Sequence, residues 1–172
     1  MAISFYNATV PAYVQTLTGV AGFLDRGLSH CADNNMQPSE LVEARIFADM
    51  APLSFQVQQA IGHSVGALEA LKVGVYSPGG SPALDYPGLQ KAVADALERL
   101  KAIKEADLNA FEGKDMAFQF GEMKVPFVAE TFIASFSMPN FYFHATTAYD
   151  ILRMKGVPLG KRDFMGPLRM KR

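Results

Sequence analysis

Few side chains in this sequence are of the types that usually carry catalysis or bind metals, since the chain has three histidines and one cysteine. The cysteine, Cys31, directly follows His30, and a thiol beside an imidazole can act as an activated nucleophile. Neighbouring residues on a helix point about 100° apart, so these two side chains would not face each other. We therefore interpret Cys31 as a small apolar residue and His30 as a favourable cation near a helix end.

The other two histidines, His63 and His144, could bind a metal ion or transfer a proton. A zinc site usually has three protein ligands and a water, or four protein ligands, so two imidazoles are too few. A carboxylate could complete the set, and Glu69, Glu130 and Asp150 are candidates. Nothing in their spacing selects one of the three.

Motifs and composition argue against several other classes. The sequence contains no P-loop, no G-x-G-x-x-G and no G-x-S-x-G. Its formal net charge of −1 gives no reason to expect nucleic-acid binding, and we interpret the short basic C-terminal segment as a solvated end. No run approaches about 18 apolar residues, and Met1 to Val10 do not resemble a secretory signal. We expect a cytoplasmic protein without membrane association.

The length suits one domain, residues 1–172. Apolar residues recur at three- and four-residue steps in four stretches, which predicts four long helices. These cover about 6–31, a segment from Pro52 to about Leu71, a segment starting near Asp85, and 131–155. The last helix is predicted to be interrupted near Pro139. Residues 75–88 are rich in Gly, Pro and Ser and are predicted to form a loop.

Between the third and fourth helices the apolar period changes from helical to alternating. Phe118 and Phe120 flank Gln119, and a turn-like segment then leads to Val125 and Phe127, which predicts a β-hairpin over 115–130. Pro126 favours an edge position for its second strand. The predicted fold is mainly α, a four-helix bundle with a small β-hairpin before the last helix.

The stretch from Met138 to Arg153, MPNFYFHATTAYDILR, followed by GVPLGKRDF from Gly156 to Phe164, carries a family resemblance. It resembles an uncharacterised family of bacterial and fungal proteins with the motif PNFYFHxTTAYxILRxxGVPxGKxDF, related to the DinB/YfiT-like bundles. The match is specific over about 138–166, and helix order extends it over the whole chain. The resemblance implies a DinB-like four-helix bundle and no established activity.

DinB-like proteins often hold a divalent metal with three histidines, and some are thiol S-transferases or related metal-dependent enzymes. One ligand comes from the second helix and two come from an HxxxH pair on the last helix. The resemblance places His144 at the first position of that pair and Ala148 at the second. His63 lies on the second helix, so two of three ligands for zinc or nickel are present, which implies a degenerate metal site.

Helical geometry gives a further expectation for each histidine. His144 falls between Ile151 and Ala148 at the edge of an apolar arc, so it should point inward or sideways and bond to a neighbour. His63 lies about 120° from the centre of its helix's apolar stripe, which predicts that it faces away from the core. That orientation argues against His63 as a metal ligand.

Three hypotheses for function follow, and the sequence does not decide whether the chain is an enzyme. The first is a DinB-like bundle with a degenerate metal site that binds a small apolar molecule or a partner. Numerous aromatic residues near the hairpin and last helix could line such a pocket or simply form core. The second is a metal-dependent transferase or hydrolase that uses His144, His63 and a carboxylate. The third is a structural or assembly role, with a homodimer formed through helix faces.

Overall fold

The computed structural model describes residues 3–80 and 82–171. Four long helical segments form the bundle, and shorter helices and strands connect them. The order of elements is α1 (Phe5–Asp33), α2 (Pro38–Val42), α3 (Leu53–Ile61), π1 (Gly62–Gly66), α4 (Ala67–Ala70), β1 (Val75–Tyr76), α5 (Tyr86–Lys101), α6 (Glu105–Asn109), β2 (Asp115–Phe120), β3 (Met123–Val128), α7 (Ala129–Phe132), π2 (Ile133–Ser137), α8 (Met138–Met154) and α9 (Lys161–Met165).

The four predicted helices are confirmed, and local signals explain where they start. The Ser4 hydroxyl accepts a hydrogen bond from the Asn7 amide, 3.2 Å away, and caps α1. The Asp85 carboxylate caps α5 through the Gly88 amide at 2.8 Å, with proline in the first turn. α1 packs against α5 and α8, and α3 packs against the same two helices. The apolar stripes of all four helices therefore meet in one core.

Two of the four bundle helices contain a π-helical turn. The second helix is formed by α3, π1 and α4 in succession, and the fourth by α7, π2 and α8. π2 ends two residues before Pro139, which lacks the N–H that would bond to the Ser135 carbonyl in an α-helix. This wider turn is the interruption that the sequence predicts near Pro139. The two π turns are joined by a hydrogen bond of 2.8 Å from the Ser137 hydroxyl to the His63 carbonyl.

A three-stranded sheet flanks the bundle in the order β1-β2-β3. The predicted hairpin is confirmed: β2 and β3 are antiparallel, with Phe118 opposite Val125, and Pro126 lies in the edge strand. The prediction of a loop over the whole of residues 75–88 is wrong at its start, because Val75 and Tyr76 form β1 and pair in parallel with β2. That pairing joins segments distant in sequence, and local sequence patterns do not report it.

The C-terminal segment is folded back on α1. The Arg26 guanidinium forms an ion pair with Asp163 at 3.2 Å and donates to the Pro158 carbonyl. The Gln15 side chain donates to the Met165 carbonyl at 2.9 Å. None of the helices formed by the described residues combines the length and apolar character that a membrane span requires.

Candidate functional site

His63 lies inside the bundle, contrary to the prediction from its helical phase. The residue is only 5% exposed, and its ring lies 5.3 Å from the Tyr76 ring and 5.7 Å from the Phe136 ring, measured between centroids. The prediction assumed a regular 100° step, but His63 lies within π1. A π turn accommodates one more residue than an α turn, so it shifts the phase by about 100°. That shift places the imidazole in the core.

His144 projects from α8 toward α3, as its position at the edge of the apolar arc predicts. It is half-buried, and its Nδ1 atom lies 2.7 Å from Oε1 of Gln56. Gln56 is 2% exposed and donates from Nε2 to the Ala51 carbonyl at 3.0 Å. The bonding partner on the neighbouring helix is therefore a carboxamide that is itself fixed by the backbone.

The structure brings the two histidines together at the interface of the second and fourth bundle helices. Their rings are nearly parallel, at 11°, with centroids 5.8 Å apart. Aromatic side chains surround the pair: Phe55 and Phe143 contact the His144 ring, while Tyr76 and Phe136 contact the His63 ring. We call His63, His144 and Gln56 the histidine pair site. It is a polar centre with aromatic walls.

Both imidazoles are neutral at physiological pH. Burial, the larger cause, and the neighbouring His144 together lower the pKa of His63 to about 4. Burial alone lowers the pKa of His144 to about 4. The Nδ1 atom of His63 is buried and has no hydrogen-bond partner among the described residues. An unsatisfied buried polar atom is uncommon in a folded protein and calls for an explanation.

These residues do not fit a three-histidine metal site. The position that the resemblance assigns to a third histidine is Ala148, which is 1% exposed and packed in the core. Across residues 3–80 and 82–171, no group of three or more His, Cys, Asp or Glu side chains is placed to hold a metal ion. The carboxylate candidates are used elsewhere or point outward: Glu69 pairs with Arg99, Glu130 accepts a hydrogen bond from the Gly113 amide, and Asp150 is exposed.

The remaining candidate residues have structural roles. Cys31 is 1% exposed, and burial raises the pKa of its thiol, which agrees with an unreactive core residue. His30 lies in the last turn of α1 and contacts the Asn34 side chain at 3.2 Å. Sequence reasoning missed Gln56 at the site. The sequence feature that could have indicated Gln56 is its polar side chain on the apolar stripe beside Leu53 and Val57.

The bundle with its flanking sheet defines a DinB-like helical protein. It is similar to the crystal structure of a DinB family member protein from Shewanella denitrificans, with a TM-score of 0.78 and 25% sequence identity. That similarity covers 97% of this chain and 94% of the other. Within this class, the chain belongs to the DUF1993 family, a domain of unknown function that matches residues 5–165. A search among curated proteins gives no match.

Proposed function

We propose that this protein binds a small, mostly apolar molecule at the histidine pair site. The observation that carries the proposal is the buried, unpartnered Nδ1 atom of His63, set beside a neutral His144 and walled by aromatic rings. Ligand sites are mostly apolar, with a few convergent polar groups that orient the ligand. Neutral imidazoles are suitable for that orienting role because they bring no net charge to desolvate.

The surroundings of Tyr76 support a ligand of modest size. Tyr76 contacts the His63 ring and also lines a cleft of about 350 Å³, beside Gly62 and Val65 of π1. This volume is within the usual range for small-molecule sites. The glycine at position 62 keeps the cleft open next to Tyr76, since a Cβ there would lie 3.2 Å from the tyrosine oxygen.

The test is a fragment screen followed by histidine side-chain NMR. Small aromatic and alicyclic fragments should shift the ring resonances of His63 and His144. The variant His144→Ala should abolish the shifts, and His30→Ala should leave them unchanged because His30 lies at the far end of α1. Binding that persists in His144→Ala would contradict the proposed site.

A second candidate is a metal-dependent transferase or hydrolase, because the fold brings His63 and His144 together. The absence of a third nearby ligand among the described residues argues against it. Metal analysis of protein purified without an affinity tag separates the two proposals. Stoichiometric zinc or nickel that is lost in His144→Ala would favour the enzyme, and substoichiometric metal in both proteins would favour the binding role.

A third candidate is assembly as a homodimer, supported by exposed apolar side chains on the hairpin. They are Phe120, Met123, Val125 and Val128. Exposed apolar patches often mark contacts between proteins. Light scattering at high concentration should then give twice the monomer mass. The variant Phe120→Lys should give the mass of a single monomer. The matched change Met154→Lys, at an exposed methionine on α8, should leave it unchanged.

We also propose a single domain, residues 1–172, located in the cytoplasm. A contiguous core of buried residues that runs from α1 to the segment after α8 supports the single domain. The one buried, unpaired cysteine is compatible with a reducing compartment. Limited proteolysis and cell fractionation test these two statements.

A further inference from the structure

The hydroxyl of Tyr76 faces the cleft beside π1. Tyr76 is 6% exposed, and its ring packs against His63 and Phe132, with ring centroids 5.3 Å and 5.6 Å away. Gly62 lines the same cleft. Apart from the backbone of its own helix, a Cβ on Gly62 would meet one atom of the described residues within 4 Å, the Tyr76 hydroxyl oxygen at 3.2 Å. The ring is therefore buried while its polar end lies at the open surface of Gly62.

This hydroxyl has no hydrogen-bond partner among the described residues. Burial raises the pKa of Tyr76 to about 12, with no charge or hydrogen bond contributing to that shift. The hydroxyl is therefore protonated at physiological pH and can donate. A fixed donor in a cleft of this kind is the type of polar group that orients a bound ligand.

Gly66 leaves space in the same cleft. Its φ of −61° and ψ of −41° are those of an ordinary helix, so its backbone conformation does not require glycine. A Cβ there would lie 3.8 Å from the nearest atom, the Ile61 carbonyl oxygen, which is an ordinary contact. Glycine inside a helix is also less stable than alanine. Neither backbone nor packing explains this glycine, whereas a ligand that fills the space of its missing side chain does.

The cleft favours a neutral ligand. Among the described residues that line it, Arg99 alone is charged, and its guanidinium is paired with the Glu69 carboxylate, with Nε 3.0 Å from Oε1. An anion would have to displace Glu69 before it could bind to Arg99. Much of the remaining wall is apolar and includes Ile61, Val65 and Leu84.

We infer that this cleft is a second ligand site, which takes a neutral, mostly apolar molecule with a hydrogen-bond acceptor, such as an aryl ketone. The ligand's oxygen accepts from the Tyr76 hydroxyl, and its apolar part lies against Gly66. The site is separate from the histidine pair site, because His63, His144 and Gln56 are not among the residues that line the cleft.

The test uses three probes of similar size: acetophenone, ethylbenzene and benzoate. Ethylbenzene lacks the acceptor, and benzoate adds a negative charge. NMR titrations near neutral pH follow the backbone amides of Gly62 and Gly66 and the Tyr76 ring. We expect acetophenone to bind more tightly than benzoate. In Tyr76→Phe the affinity for acetophenone should fall about fivefold, while that for ethylbenzene should not change, because one neutral hydrogen bond is lost.

Further variants separate the effect of the hydroxyl from that of the space. Gly66→Ala puts a methyl group into the cleft, so acetophenone and ethylbenzene should both lose about tenfold in affinity, without a fall in melting temperature. Gly22→Ala, at a helical glycine with open space around its Cβ position, is the matched control and should keep both affinities. Tyr86→Phe should also keep them, since the Tyr86 hydroxyl donates to the Leu24 carbonyl.

Three results would overturn the inference. They are cleft amides that do not shift with acetophenone up to its solubility limit, unchanged acetophenone affinity in Tyr76→Phe, and tighter binding of benzoate than of acetophenone. Tyr76→Phe breaks no hydrogen bond among the described residues, so we expect it to fold. Binding at the histidine pair site is followed separately, on the His144 ring, so either site can fail while the other stands.

Discussion

Acidification should destabilise this protein through His63. The unfolded chain has histidines with a pKa near 6.5, whereas burial lowers the pKa of folded His63 to about 4. Between these values the unfolded chain binds a proton that the folded ring excludes. The free energy of unfolding therefore falls as the pH falls through this window, and the stabilisation is fully present above about pH 6.5.

The magnitude follows from the same two pKa values. A difference of one in pKa corresponds to about 1.4 kcal/mol, so protonation of this histidine in the unfolded chain should lower the free energy of unfolding by about 1 kcal/mol at about pH 5.5 and by about 2–3 kcal/mol at about pH 4.5. His144 adds to the loss in the same direction, because burial also lowers its pKa to about 4. It adds less than His63, since its side chain is half-open to solvent.

Urea unfolding of the wild type and His63→Phe at about pH 7.5 and about pH 4.5 measures this effect. Phenylalanine keeps an aromatic ring against Tyr76 and Phe136 and cannot titrate. Between the two pH values the wild type should lose about 2–3 kcal/mol more than His63→Phe. Carboxylates that titrate in the same range cancel in this difference.

The control is Phe23→Leu, a change in the buried core that does not involve the histidine pair. It should destabilise the protein by a similar amount at both pH values, and so follow the wild-type pH dependence. Parallel losses in the wild type and His63→Phe would refute the reasoning. They would mean that folded His63 binds its proton as easily as a histidine in water.

Three further predictions concern the C-terminal segment, the histidine pair site and the contact between α5 and α1. Gly19→Ala should destabilise the protein by about 2 kcal/mol in urea unfolding, because a Cβ there would lie 2.5 Å from the Phe164 carbonyl oxygen. Ser137→Ala should cost about 1–2 kcal/mol and shift the NMR signals of His63, whose carbonyl accepts the Ser137 hydrogen bond. Tyr86→Phe should lower the free energy of unfolding by about 1 kcal/mol, because the Tyr86 hydroxyl donates to the buried Leu24 carbonyl at 2.8 Å.

Each of these predictions has a matched control in the same element or residue type. Gly22→Ala, on the same helix with nothing near its Cβ position, should instead stabilise by about 0.5–1 kcal/mol. Ser135→Ala, on the exposed side of π2, and Tyr142→Phe, at the surface of α8, should change stability little. If a control variant lost as much free energy of unfolding as its test variant, the contact proposed to explain that test variant would be contradicted.

Much of the fold follows from the sequence because its signals are local. The apolar period of the third helix together with the Asp85 cap predicts α5, and alternation around Gln119 predicts the hairpin. Pro139 marks the irregular turn in the last helix. Residues within about four positions of each other decide these features. The features can therefore be predicted from sequence without knowledge of tertiary contacts.

The histidine pair site could be defined only from the tertiary structure. The sequence by itself determined that His63 and His144 lie on the second and last bundle helices and that position 148 has alanine. Only the packed fold decided that both rings meet, that Gln56 contacts His144, and that β1 pairs with β2. The physical reason is that one π turn changes the phase of a helix by about 100°. A regular period therefore mispredicts a side chain that lies within the turn, as His63 does, until neighbouring helices are in place.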